Sequence, residues 1–165
     1  MQVYENFLSD EDYTFVSSAL TNNKFPWYYN TNIAGPGEGI DGYQFVHTFF
    51  NVSDPYSVDT QFNKFLNPIW NKLSPKYMIR AKANLRPRTD NPVQSMWHTD
   101  TDITQVITGI FYIESNNGYT IFKDGSKVNT CDMHKIRGVA AKDITENVLS
   151  KKVYGGVKYS YDLLT

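Results

Sequence analysis

The residues with the most chemical content are His98 and Asp100, one residue apart in the run Trp97-His98-Thr99-Asp100. On a strand, positions i and i+2 share a face, so an imidazole and a carboxylate there can grip one metal ion. Such a pair is two-thirds of the 2-His-1-carboxylate facial triad, which holds non-haem Fe(II) and leaves coordination positions open. Asp102 falls on the same face and competes with Asp100 for the carboxylate role. The chain has only three histidines, His47, His98 and His134, so a triad must use two of them. His47 shares its face with Phe45 and Phe49 in an aromatic run and reads as a packed strand histidine.

These residues need elements to position them. Ser9 followed by Asp12 has the spacing of a capping box, and a helix of about three turns should follow it, with Tyr13, Phe15, Val16 and Leu20 as its apolar contacts. Residues 2–8 before it read as a strand, and Tyr43 to Asn51 alternates as a strand should. Val58, Phe62, Phe65, Leu66, Ile69 and Trp70, with Leu73, recur at helical spacing and predict one continuous packing helix. From Tyr77 to Arg86 the period becomes two. Ala81, Ala83 and Leu85 lie on one face, and Arg80, Lys82, Asn84 and Arg86 on the other, either wet or lining a pocket for an anionic ligand. Ile103 to Ile113 is a further strand, Asn116-Asn117-Gly118 reads as a hairpin turn, Tyr119 to Phe122 as its partner, and Asp124-Gly125 as another turn.

Composition bounds the rest. A chain of 165 residues fits a single domain, 1–165, and its 15% aromatic content favours a β-rich fold. A net charge of −1 gives no field that would draw it to nucleic acid or an anionic membrane, and nucleic acid is not indicated as a partner. No apolar run approaches the ~20 residues of a membrane span. One cysteine, Cys131, cannot form an internal disulfide and suggests a reducing, cytoplasmic setting.

Three stretches together resemble the 2-oxoglutarate- and Fe(II)-dependent oxygenases, in the prolyl-hydroxylase-like form common in phages and marine bacteria. They are Ile79-Arg80-Ala81-Lys82-Ala83-Asn84-Leu85, His98-Thr99-Asp100, and the run from Tyr112 through Asn117-Gly118-Tyr119-Thr120-Ile121-Phe122-Lys123-Asp124-Gly125. The likeness covers about residues 1–129. It implies a mostly β fold with flanking α-helices, a double-stranded β-helix or jelly roll, with iron held by His98, Asp100 and a downstream histidine. It also implies 2-oxoglutarate chelating that iron, Asn84 contacting the co-substrate, and an Arg or Lys pairing with its far carboxylate. The activity implied is cleavage of 2-oxoglutarate by O₂ to succinate and CO₂, coupled to hydroxylation or demethylation of a peptide, a nucleobase or a small metabolite. If phage-encoded, the protein would work in the host cytoplasm.

After Asn129 the family pattern stops. His134 is the only downstream histidine and so the candidate third ligand, and Arg137, three residues later, is the candidate for the co-substrate carboxylate. The other account is that the strand bearing the distal histidine is missing. Ile144 to Leu149 reads as a short helix and Val153 to Val157 as a strand with a Gly-Gly turn, so the jelly roll is expected to be incomplete at the C-terminus. The alternative function is then a non-catalytic descendant of the fold that binds a ligand or protein through a degenerate metal site.

Overall fold

A computed structural model describes residues 2–31, 43–54, 59–87, 93–95, 97–99, 103, 106–114, 118–122, 124–129, 139–144, 150–154 and 158–164, with the backbone alone at 2, 93–94, 128–129 and from 139 onward. Eleven strands and two α-helices lie among them. In chain order these are β1 (Gln2–Tyr4), α1 (Asp10–Leu20), β2 (Tyr28–Asn30), β3 (Gln44–Asn51), α2 (Asn67–Leu73), β4 (Arg80–Arg86) and β5 (Val93–Gln94). Then come β6 (Val106–Tyr112), β7 (Tyr119–Phe122), β8 (Lys127–Asn129), β9 (Val139–Ile144), β10 (Ser150–Tyr154) and β11 (Lys158–Leu164). A seven-stranded sheet has the order β1-β9-β6-β11-β4-β3-β2, and a four-stranded sheet the order β5-β10-β7-β8. Every pairing is antiparallel. No helix among the described residues is long and apolar enough to cross a membrane.

The helices cover one face of the larger sheet. Ser9 caps α1 as its spacing predicts, its Oγ accepting from the Asp12 N–H at 3.1 Å. Val16 and Leu20 of α1 and Ile69 of α2 are fully buried, in one cluster with Ala81, Ala83, Phe49 and Phe111 of the sheet. A register shift between Thr48 and Phe50 turns two consecutive phenylalanines toward this cluster, Phe49 inside it and Phe50 against it.

Several expectations are corrected. The strand expected at 2–8 is only β1; Asn6 turns the chain at φ 50°, and Phe7 and Leu8 are buried as core rather than paired. The helix expected from Val58 starts late. Val58 lies outside the described residues, Thr60 to Phe62 is turn, Asn63–Leu66 is a 3₁₀ turn, and Pro68, which lacks an N–H, sits in the first turn of α2. Asn116 and Asn117 lie outside the described residues, but β6 and β7 belong to different sheets and do not pair as a hairpin; a tight turn is at Asp124-Gly125, where Gly125 has φ 83° and joins β7 to β8.

The tail is the largest correction. It supplies three paired strands, and β11 enters the larger sheet between β4 and β6, so the sheet is not left open there. Ile144, read as the start of a helix, ends β9; residues 145–149 lie outside the described residues. The reason is visible in Lys158-Tyr-Ser-Tyr-Asp-Leu-Leu, whose Tyr159, Tyr161 and Leu163 alternate with polar Lys158, Ser160 and Asp162.

Candidate metal and anion site

One hydrogen bond fixes which face of each sheet looks at the other. Tyr112 of β6 and Thr120 of β7, both fully buried, meet Oη to Oγ1 at 2.9 Å across the two sheets. Residues opposite each other on neighbouring strands share a face. Ser160 lies opposite both Tyr112 and Asn84, so Asn84 is on the face toward the smaller sheet, and Arg80, Lys82 and Arg86 alternate with it along β4. The polar side of this strand is not a wet surface. Asn84 is 6% exposed and Arg86 4%, while Arg80 and Lys82 are half-buried. One Arg86 Nη1 donates to the Tyr43 carbonyl at 3.0 Å, which ties the end of β4 to the start of β3.

His98 is half-buried and forms a single β-bridge four residues beyond Gln94, which pairs with Val153 of β10. Its segment leads into Val106, where β6 begins opposite Ile144 at the end of β9. Asp100 and its competitor Asp102 lie outside the described residues, as do His134 and Arg137. The connection that carries His134 and Arg137 runs from Asn129 to Val139, and Val139 pairs with Phe111 near the other end of β6. At roughly 3.4 Å per residue, the two ends of a seven-residue strand are about 20 Å apart. Asn84 stands at the level of Tyr112, the same end at which that connection joins β9. Among the described residues, no three His, Cys, Asp or Glu side chains gather where they could hold a metal.

His47 is on the opposite face, toward the helices. It is 2% exposed and packed between Phe25 and Phe49, each with its ring centre 4.6 Å away. Its Nδ1 is 2.9 Å from the Pro26 carbonyl and its Nε2 is 2.8 Å from Asp59 Oδ2. Asp59 uses its other oxygen to accept the N–H groups of Gln61 and Phe62, both at 2.8 Å. The pair is a structural strap from β3 to the turn before α2. Sequence reading placed His47 as packed and missed Asp59, for which no periodic signal exists. Also on the helix side, Tyr13 donates from its hydroxyl to the Ile113 carbonyl. Burial first, and then the Glu114 carboxylate, push that hydroxyl above its ordinary value of 10.0.

No protein-family model matches the chain, and no curated protein matches it. Solved structures do. A prolyl hydroxylase of Trichoplax adhaerens, in complex with a hypoxia inducible factor oxygen degradation domain peptide fragment, aligns with TM-score 0.67 at 11% identity, over 99% of this chain and 81% of that one. A prolyl-4-hydroxylase of Pseudomonas putida aligns at 0.56 and 11%, over 98% and 90%. A viral collagen prolyl hydroxylase of Paramecium Bursaria Chlorella virus-1, in its 2-oxoglutarate complex, aligns at 0.51 and 14%, over 99% and 94%. At such identities the likeness concerns the fold.

Proposed function

We propose that the chain is a non-haem dioxygenase that depends on Fe(II) and 2-oxoglutarate, built on a double-stranded β-helix. The observation that carries this reading is the order in which strands alternate between the sheets. β4 is in the larger sheet and β5 in the smaller, β6 in the larger, β7 and β8 in the smaller, and then β9, β10 and β11 alternate again. The His98 segment lies in the crossover from β5 to β6. The fold neighbours support the same reading, since each is a prolyl hydroxylase.

In this reading His98 and Asp100 hold the metal; one imidazole and one carboxylate suit Fe(II). The bound metal, with 2-oxoglutarate on it, supplies O₂-dependent hydroxylation of an acceptor and releases succinate and CO₂. The chain's own residues do the rest. Asn84 and the cationic side of β4 orient the co-substrate from within the sandwich, with Arg137 as a further candidate for its far carboxylate. Tyr112 and Thr120 close the wall between the sheets and exclude water. The acceptor is a peptide, a nucleobase or a small metabolite, and the setting is the cytoplasm.

His134 is the remaining candidate for the third ligand. It lies outside the described residues, in the connection that joins β9 at Val139, beside Phe111. Reliance on this one histidine favours a second reading, a binding protein without turnover that keeps only a two-ligand site. Anaerobic titration of Fe(II) with 2-oxoglutarate present separates the two. A saturable metal-to-ligand charge-transfer band, lost in His98→Ala, is expected; no band in the natural chain would sink the dioxygenase reading. A band that survives His134→Ala would remove that residue from the ligand set.

A further inference from the structure

Thr108 of β6 is 9% exposed, and its Oγ1, shut off from solvent, has no hydrogen-bond partner among the described residues. Buried hydroxyls are nearly always bonded, because an unbonded one forfeits its bonds to water and gains nothing in return. The backbone beside it is already engaged. β6 is paired on both sides, and Thr108 stands opposite Lys142 of β9 and Leu164 of β11.

The strand geometry fixes which way this hydroxyl faces. Tyr112 lies four residues along β6 and bonds to Thr120 of the smaller sheet, so Thr108, Ile110 and Tyr112 share the face that looks into the sandwich. Phe111, on the other face, belongs to the core under the helices. Two hydroxyls of β6 thus look inward, and they differ. That of Tyr112 is closed onto Thr120, whereas that of Thr108, about 13 Å away along the strand, is open. Thr108 is also two residues past Val106, where the His98 segment enters β6, and Val106 is itself 4% exposed. A ligand that meets this hydroxyl is therefore enclosed between the sheets rather than resting on the surface.

We propose that Thr108 is a co-substrate-binding residue, its hydroxyl donating a hydrogen bond to an oxygen of 2-oxoglutarate. The assignment rests on the dioxygenase reading. There the co-substrate reaches from the metal at His98 toward Asn84, which is level with Tyr112, and β6 is the strand that joins those two ends. 2-Oxoglutarate at neutral pH carries acceptor oxygens on its two carboxylates and its ketone, and no donor. It suits a hydroxyl that has a proton to give and no bond to break first. A bond of this kind to a charged oxygen is stronger than one between neutral groups.

The test removes the hydroxyl and keeps the shape. Thr108→Val puts a methyl in its place, and Thr108→Ser restores the donor. Ligand-free in EDTA, Thr108→Val should melt at or up to about 3 °C above the natural chain, because the bond it lacks is not made there. 2-Oxoglutarate is then titrated anaerobically into each Fe(II)-loaded protein and followed by the charge-transfer band. Thr108→Val should bind it about tenfold more weakly, and Thr108→Ser within about twofold of the natural chain. Thr108→Ala carries the comparison if valine crowds the site. Melting of Thr108→Val well below the natural chain would mean that the hydroxyl is already bonded in the free protein, and would overturn the proposal. An unchanged 2-oxoglutarate affinity in Thr108→Val and Thr108→Ala would overturn it too, and would leave the dioxygenase reading standing. No band in the natural chain would defeat that reading and this assignment with it.

Discussion

The two faces of the larger sheet are made by the same strands, yet they are satisfied in opposite ways. On the helix side Ala81, Ala83, Phe49 and Phe111 meet Val16, Leu20, Leu66 and Ile69, and an ionisable pair there, His47 and Asp59, meets at 2.8 Å. Both His47 nitrogens face oxygen atoms, Nδ1 the Pro26 carbonyl and Nε2 the Asp59 carboxylate. One residue further along β4, the other side carries Arg80, Lys82, Asn84 and Arg86, a polar row with Asn84 and Arg86 buried. An apolar face and a polar one are thus built from alternate residues of a single strand.

The comparison can be broken most directly with one new carboxylate on each side. Ala81→Asp puts an unpaired charge among apolar side chains and should cost more than about 4 kcal/mol, enough to prevent folding. Asn84→Asp, three residues on, places the same group between Lys82 and Arg86 and should cost far less in thermal unfolding, while weakening 2-oxoglutarate binding. If the two variants behave alike in thermal unfolding, the faces do not differ as described. Asp59→Asn is the next effect in size. It removes the carboxylate from the buried His47 ring and should cost about 2–3 kcal/mol in urea unfolding, without altering anion binding.

Tyr13→Phe is the smallest change. Losing its bond to the Ile113 carbonyl should cost about 1 kcal/mol. Because the folded hydroxyl titrates above its unfolded value of 10.0, it contributes stability that is full below that pH and lost as pH rises through the folded value. Alkaline unfolding curves of Tyr13→Phe should therefore fall less steeply above pH 10 than those of the natural chain.

Local signals in the sequence were legible and long-range ones were not. The Ser9 cap and the buried positions Val16 and Leu20 depend on residues within a turn or two, and they stand where the spacing puts them. The stripe from Phe62 to Leu73 marks core, with Leu66 and Ile69 fully buried, but Pro68 decides where the α-helix starts. Asn116-Asn117-Gly118 announces a turn without saying that the chain changes sheets there. His98 could be singled out from its neighbour at i+2 alone. The pairing of β11 with β4 could not, because its register joins residues such as Arg86 and Lys158, 72 positions apart. Asp59 escaped notice for the same reason, since its histidine comes from another element.

The position of β11 has a consequence for how this molecule is made. β4 and β6 are neighbours only through it, so until residues 158–164 are available both strands present bare backbone edges. On the ribosome, the centre of the larger sheet is therefore the last part to close, after both helices and ten other strands have emerged. The growing chain is most open to proteases, and to pairing with its neighbours, just before that strand arrives.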